Sequence, residues 1–263
     1  MGIIEPVKKG FKVAGQSMNL VLALFVFGLF WSILNIFLTP QLTAPGTQTP
    51  TNPATTASTI IVGILFVLTS IFIQGGSLGF ILEKIKTGNT SFSALLSYGG
   101  KCYVRLLLLG LIVALIVGFF VLLAGLAVAL LSGNLNILGV IIAVIVGAIG
   151  IYFAVLLFLS PYAIVASDHG VMDAVKKSVS LVRSNVLSVL GIAIILIAIG
   201  FGFGVVLGVL LGLLSVAIKG IASQVIFAVL SSLLNAFLGT VVTAAFMSFY
   251  LELSAHNNTT GAS

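Results

Sequence analysis

The sequence predicts an all-α fold, a polytopic membrane bundle of six transmembrane helices. The first reason is composition: 60% of the 263 residues are hydrophobic and 6% are charged, and the mean hydropathy is +1.34. A soluble domain carries roughly 25% charged residues because its surface faces water, so this composition excludes a soluble domain and a disordered chain. The other two reasons are a set of long apolar runs and a one-sided distribution of lysine and arginine.

The apolar runs define the spans. A helix needs about 20 apolar residues to cross roughly 30 Å of hydrocarbon. Six runs are long enough, and apart from Arg105 at the edge of the third they contain no charged residue. They lack the alternation of a barrel strand, so each is predicted to be a helix. The runs cover residues 19–39, 59–82, 104–132, 137–165, 186–216 and 222–251.

Basic residues set the expected orientation. Ten of the 11 lysines and arginines precede the first run, lie between the second and third, or lie between the fourth and fifth, and only Lys219 lies on the opposite side. Positive charge is retained in the cytoplasm, which predicts that both termini are cytoplasmic. No organelle signal and no cleavable signal peptide is visible, so a multi-pass protein of a prokaryotic cell membrane is expected.

Three segments that precede the odd-numbered spans indicate an internal repeat. Shifted by 168 positions, residues 4–14 (IEPVKKGFKVA) align with residues 172–182 (MDAVKKSVSLV), lysines included. Apolar residues recur at spacings of three and four, which predicts one apolar helix face with the lysines opposite. Each segment is therefore predicted to be an amphipathic helix at the cytoplasmic interface, leading into a span. A middle segment from residue 92 fits more weakly, because Leu96 and Ser97 replace the two lysines.

The domain prediction follows from the repeats. A single membrane domain is expected over residues 1–252, built from three parallel repeats at about 1–82, 83–165 and 166–252. Each repeat is an interfacial helix followed by two transmembrane helices, and all three start on the same side, unlike the inverted repeats of many transporters. The polar tail, residues 253–263, is expected to be disordered.

Two stretches resemble a known family. KTGNTSFSALLSYGGK (86–101) is a Gly-polar-polar-Ser-Phe entry to an amphipathic segment. LSPYAIVASDHGVMDAVKKSVSLVRSNVLSVLG (159–191) joins a proline near a span end, an acidic-glycine turn and the pattern A-x-K-K-S-x-x-L-V-R-x-N. They resemble the six-span family named after the membrane domain of bacterial glycerophosphoryl diester phosphodiesterases, and the related uncharacterised family of bacterial inner-membrane proteins.

The resemblance implies the six-span architecture but no phosphodiesterase activity. In larger members of that family the bundle is joined to a soluble catalytic barrel, which would need roughly 200 or more further residues. The metal-binding carboxylates and histidines of that barrel are also missing from this chain. No catalytic residue, no metal site and no cofactor is therefore predicted.

Basic side chains on the interfacial helices are the predicted lipid site. Each lysine or arginine near anionic headgroups stabilises membrane contact by about 1 kcal/mol. The alternative is that the same charges only fix the orientation of the chain. The predicted headgroup-binding residues are Lys8, Lys9, Lys176, Lys177 and Arg183.

Small and polar residues inside the spans are the other predicted site residues. Glycines at spacings of four residues form a stripe that lets a second helix approach closely, within the bundle or, less in favour, in a dimer. Amides inside the membrane are expected to form hydrogen bonds between spans, worth roughly 0.6–2 kcal/mol. The predicted packing residues are Gly200, Gly204, Gly208, Gly212, Gly139 and Gly147, and the intramembrane polar residues are Asn35, Gln74 and Asn235.

Function is predicted only as a class. A bundle rich in packing residues and poor in reactive ones favours a non-enzymatic scaffold, lipid-organising or accessory factor. The alternatives are a carrier or permease for a lipophilic molecule or lipid, and a lipid enzyme using Asp168, His169 or Asp173 at the cytoplasmic face. Expected partners are membrane lipids, with a membrane-protein partner or a second copy allowed. No nucleic-acid partner is expected despite the net charge of +6, because the charges lie in short segments between apolar runs.

Overall fold

The structure, a computed structural model, describes residues 2–38, 53–131, 136–218 and 220–260. Throughout these residues the regular secondary structure is helical, without a β-strand. The helices are α1 (Ile4–Gly15), α2 (Met18–Leu38), α3 (Pro53–Thr87), α4 (Phe92–Leu130), α5 (Asn136–Leu157), α6 (Ser160–Ser167), α7 (Val171–Ser184), α8 (Val186–Ala217) and α9 (Ile221–Thr260).

Six stretches of helix are long and apolar enough to cross a membrane, which confirms the prediction of an all-α multi-pass membrane protein. The third stretch starts at Phe92, well before the residue 104 predicted from sequence, because α4 runs unbroken from the middle amphipathic segment into the span. Among the described residues the stretches are Met18–Phe37, Ala57–Thr87, Phe92–Leu130, Ile137–Ser167, Val186–Leu213 and Ile221–His256.

The chain divides into two compact units, where the sequence predicted a single domain over residues 1–252. The first unit is Met1–Gly100 with Leu190–Ser248, and the second is Lys101–Val189 with Phe249–Ser263. The boundaries fall inside α4, α8 and α9, which are 32–40 residues long. At 1.5 Å per residue such helices exceed the roughly 30 Å hydrocarbon core, so one helix can pack in different units along its length.

In the first unit, small residues allow close helix contacts. A Cβ at Gly76 would overlap Leu95, and a Cβ at Gly79 would overlap Tyr98, at the start of α4. The backbone of α3 therefore lies directly against these two residues of α4. Aromatic rings join α2 to α3, with the Trp31 and Phe66 ring centroids 5.2 Å apart. Such packing is the main source of helix association in lipid, because burial of apolar surface gives no advantage there.

In the second unit, the fourth predicted span is divided between α5 and α6. Pro161 lies in the first turn of α6, two residues after the break at residues 158 and 159. A proline lacks the amide hydrogen of the helical ladder and its ring clashes with the carbonyl four residues earlier. The kink or helix end expected at this proline is therefore present.

Ser178 of α7 pairs with the backbone groups that this break leaves without helical partners. The Phe158 amide donates to the Val155 carbonyl at 3.2 Å, a tighter turn than in an α-helix. The Leu159 amide donates to the Ser178 hydroxyl at 3.2 Å, and that hydroxyl donates to the Leu156 carbonyl at 2.7 Å. Ser178 is fully buried, so this hydroxyl satisfies polar groups that water does not reach.

Burial is uneven along the long helices. On α3, Leu78 and Ile81 are buried, while Ile60 and Ile64 near the other end are more than half exposed. An exposed apolar surface of this kind needs a cover, and in a membrane protein the hydrocarbon chains of the lipids provide it.

The polar tail is helical over its described part, where disorder was expected from residue 253. α9 continues to Thr260, and Leu253 is buried. The buried side chains of Tyr250 and Leu253 hold the helix past the end of the apolar run, and the Tyr250 hydroxyl lies 3.2 Å from the Ser167 hydroxyl. Residues 261–263 lie outside the described residues.

Candidate functional site: the basic faces of α1 and α7

The basic face of α1 consists of Lys8, Lys9 and Lys12, which are all exposed. The opposite side of this helix, Pro6, Val7, Gly10 and Ala14, is buried. Because Gly10 has no side chain, α1 lies directly against α9. The lysines can therefore only point away from the unit.

At Gly10 the backbone of α1 lies in close contact with the backbone of α9. A Cβ at this position would lie 2.7 Å from the Val241 carbonyl oxygen and 2.9 Å from the Ala245 Cβ. The next residue, Phe11, adds an aromatic contact with Phe237, with ring centroids 6.4 Å apart. These contacts fix the rotation of α1 about its axis, and with it the direction of the basic face.

The basic face of α7 consists of Lys176, Lys177 and Arg183, of which Lys176 and Arg183 are exposed and Lys177 is half-buried. The buried side is Ala174, Ser178, Leu181 and Val182. Gly170 is the N-cap of α7 and Asp173 lies in its first turn. A carboxylate there is stabilised by the positive end of the helix dipole.

Two residues of the predicted apolar faces are exposed in the structure. The sequence placed Ile4 with Ala14, and Met172 with Val182, on one apolar face. Ala14 and Val182 are fully buried, but Ile4 is 61% and Met172 is 64% exposed. The protein core therefore contacts a narrower arc of each helix than the apolar residues occupy.

The structure also brings together a charge cluster in the second unit, formed by Lys101, Arg105 and Asp168. The Lys101 Nζ lies 3.1 Å from one carboxylate oxygen of Asp168, and the Arg105 Nη1 lies 2.5 Å from the other. Arg105 also donates to the Asp168 carbonyl oxygen at 3.3 Å. The sequence did not predict this cluster. The acid and the two bases are more than 60 positions apart in the chain, and only folding brings them together.

Asp168 is held in an unusual backbone conformation at the end of α6. Its φ is 54°, in the left-handed region, which aspartate tolerates better than most residues. The hydrogen bond from Arg105, followed by that from Lys101, holds the pKa of the Asp168 carboxyl below its ordinary value. This carboxylate is therefore charged and engaged by two cations, which makes it a poor proton acceptor for acid–base chemistry.

The remaining enzymatic candidates are not drawn into that cluster. His169 is half-buried and Asp173 is exposed on α7. A search of the described ranges finds no group of three or more His, Cys, Asp and Glu side chains close enough to hold a metal ion.

The predicted packing glycines mostly face open space. Gly139 of α5 does pack closely, since a Cβ there would lie 2.9 Å from the Ala127 carbonyl oxygen of α4. At the other predicted positions a Cβ would meet no atom within 4 Å among the described residues, so a close helix contact at these positions stays a prediction. These positions are Gly200, Gly204, Gly208, Gly212 and Gly147.

Polar side chains inside the spans include the predicted amides and a pair of serines. The three predicted amides, Asn35, Gln74 and Asn235, lie at exposed positions of α2, α3 and α9. A side-chain hydrogen bond between spans is formed by two hydroxyls, with the Ser32 and Ser232 oxygens 3.3 Å apart. Serines are common in helices of every kind, so the sequence contains no signal that singles out this pair.

The fold and these faces define a multi-pass α-helical membrane protein with exposed basic helix faces. The chain belongs to the family described as "Domain of unknown function (DUF7847)", whose model matches residues 1–253. No curated protein matches the chain, and no solved structure matches it. The family match carries no link to phosphodiesterase membrane domains, so that resemblance stays a prediction from sequence.

Proposed function

We propose that this protein is a non-enzymatic, lipid-organising membrane protein that binds anionic lipid headgroups through the basic faces of α1 and α7. The observation that carries the proposal is that two separate helices each bury one side against protein and carry three basic residues on the other, all exposed except the half-buried Lys177. Anionic headgroups are the ligands that such faces meet at a membrane surface.

The connections of these helices support a position at the membrane surface. α1 ends at Gly15 and α2 starts at Met18, while α7 ends at Ser184 and α8 starts at Val186. A helix joined to a span by one or two residues has no length of chain with which to leave the interface. At about 1 kcal/mol per basic residue near the surface, six such residues would enrich anionic lipid strongly.

We extend the proposal to the three parallel repeats. Burial matches in register between the outer segments, with Gly10 and Ser178 both buried and Lys8 and Lys176 both exposed. Two segments also contact the second span of the repeat before them, since the start of α4 contacts α3 and α7 contacts α5. Helix α1, which opens the first repeat, contacts α9, the second span of the last repeat. In all three cases the segment packs against the second span of another repeat, as a triplicated unit would.

The same proposal includes the location. Anionic lipids and a one-sided distribution of basic residues are typical of the cytoplasmic leaflet of a cell membrane. We therefore propose a prokaryotic cell membrane with both termini in the cytoplasm. A stoichiometric protein partner recovered by gentle purification would identify the membrane process that this protein assists.

Lipid retention tests the proposal. The variant K8Q/K9Q/K176Q/K177Q is reconstituted with equal amounts of phosphatidylglycerol and phosphatidylcholine, and the co-purifying lipids are measured by mass spectrometry. We expect the excess of phosphatidylglycerol over phosphatidylcholine to fall several-fold relative to the wild type, because four of the six charges on the two faces are lost.

The matched control is K84Q/K86Q, which removes two lysines from the last turn of α3. The control should retain phosphatidylglycerol nearly as the wild type does. Equal retention by the four-fold variant and the wild type would contradict lipid binding by the two faces and leave the lysines a role in orientation only.

A carrier for a lipophilic molecule is the second candidate. The observation that favours it is the interruption between α5 and α6, since broken helices often line the substrate sites of transporters. Substrate-dependent flux in proteoliposomes would favour the carrier.

A further inference from the structure

Ile4 and Met172 are large apolar side chains that the described part of the protein leaves mostly uncovered. They are 61% and 64% exposed, they lie in the first turns of α1 and of α7, and they align with each other in the shift of 168 positions. The residue after each is an exposed acid, Glu5 or Asp173. An exposed isoleucine and an exposed methionine at matching positions of two helices call for a shared explanation.

The order of side chains around each helix indicates which side faces the hydrocarbon. With about 100° per residue, Lys8 lies 40° from Ile4, while Glu5 lies 100° from it. In α7, Lys176 and Asp173 have the same offsets from Met172. Moving around each exposed face, the chain therefore presents the apolar side chain, then a base, then the acid, with Lys9 or Lys177 beyond it at about 140°. An apolar side chain directly beside a base matches acyl chains next to anionic headgroups.

A contact beside Ile4 places it at the level where a span begins. The neighbouring residue, Ile3, lies against α8, where a Cβ at Gly191 would be 2.7 Å from the Ile3 Cδ1. Gly191 is in the second turn of α8, which starts at Val186. The first turn of α1 therefore lies beside the entry of α8 into its apolar stretch.

We propose that Ile4 and Met172 are membrane anchors whose side chains insert into the acyl region just below the headgroups that the basic faces bind. The inference rests on the proposed function, since both place α1 and α7 at the lipid surface, and it adds the depth and rotation of these helices. Lipid is the occupant because the basic residues beside each anchor match anionic headgroups and a span follows each helix within two residues.

Site-directed spin labelling measures the depth. Cys102 is the chain's single cysteine and is buried, so a Cys102→Ala background carries no competing thiol. Labels are placed at Ile4→Cys and Met172→Cys, with Glu5→Cys and Asp173→Cys as matched controls one residue away. The protein is reconstituted in vesicles of phosphatidylcholine and phosphatidylglycerol, and relaxation by oxygen and by a water-soluble nickel chelate is compared.

We expect the labels at positions 4 and 172 to be relaxed by oxygen and at least several-fold less by the nickel chelate than the labels at positions 5 and 173. Equal relaxation by nickel at all four positions would overturn the inference. Protection of positions 4 and 172 from both oxygen and nickel would also overturn it, since protein rather than lipid would then cover them.

The two proposals fail separately. If nickel reaches positions 4 and 172 while phosphatidylglycerol retention still depends on the lysines, the anchor inference is wrong and headgroup binding stands. If the labels are inserted while retention is independent of the lysines, the anchors stand and headgroup binding is wrong. All four labelled positions are exposed, so the labels remove no packing contact.

Discussion

At the scale of single residues, the Ser178 hydroxyl connects α7 to both sides of the break between α5 and α6. It accepts from the Leu159 amide and donates to the Leu156 carbonyl. We expect Ser178→Ala to lower the free energy of unfolding by about 1–3 kcal/mol, because it leaves buried backbone groups without partners. Thermal unfolding in detergent measures the effect.

Ser180→Ala is the control for this prediction, since Ser180 is exposed on the same helix. Its unfolding temperature should equal that of the wild type. An unchanged unfolding temperature for Ser178→Ala would mean that water or another group replaces the hydroxyl.

Also at this scale, the ion pairs of Asp168 predict a pH dependence. Since these pairs lower the pKa of the folded state below the unfolded value of about 3.9, their contribution to stability is present above about pH 4. It is lost as the pH falls through the lowered pKa of the folded protein. Asp168→Asn should therefore reduce the unfolding temperature slightly at pH 7 and leave it unchanged in strong acid.

Asparagine suits this test because it also tolerates the left-handed backbone of position 168. A double-mutant cycle with Arg105→Gln isolates the charge interaction from other effects. Additive effects of the two substitutions at pH 7 would show that the pair contributes nothing measurable.

At the scale of helices, two glycines give opposite predictions. Gly10→Ala should destabilise the protein by about 1–3 kcal/mol, because its Cβ would lie against the Val241 backbone, which cannot rotate away as a side chain end can. Gly208→Ala should be neutral or stabilising by up to about 1 kcal/mol, because its Cβ meets open space and alanine favours the helix. Unfolding curves in detergent compare the two variants, and equal effects would contradict the helix contacts described here.

These glycines also show how far the sequence could predict packing. The stripe of α8 was visible because its spacing is regular, yet regular spacing only permits a close contact. Gly10 belongs to no such stripe, and it becomes a contact because of the helix segment that lies opposite it, Val241–Ala245 of α9. Which helix lies opposite is a property of the fold, so no local sequence pattern predicts it.

The spans and the segments α1 and α7 were predictable because their sequence signals are local. Apolar length and lysine distribution are local and require no knowledge of neighbours, so six spans and the segments α1 and α7 follow from the sequence. The sequence did not predict that α4 continues without interruption. The polar residues before Arg105 look like the end of a separate segment, although α4 runs through them.

At the scale of the whole molecule, orientation in the membrane is the main prediction. In a Cys102→Ala background, Gln48→Cys lies in the first connection expected outside the cell, and Ser93→Cys lies on the opposite side. We expect an impermeant thiol reagent to label position 48 in intact cells and position 93 only after permeabilisation. Position 48 lies outside the described residues, so this prediction rests on charge distribution alone. The reverse labelling pattern would invert the orientation of the chain.

The contact between Gly10 and α9 has a consequence for how the protein is made. Helix α1 leaves the ribosome well before Val241 and Ala245 are translated. The side of α1 that contacts α9 therefore lacks this partner while the helices between them are being inserted. Lipid is a surface available to it during that interval, and the first unit reaches its final form only after α9 has been made.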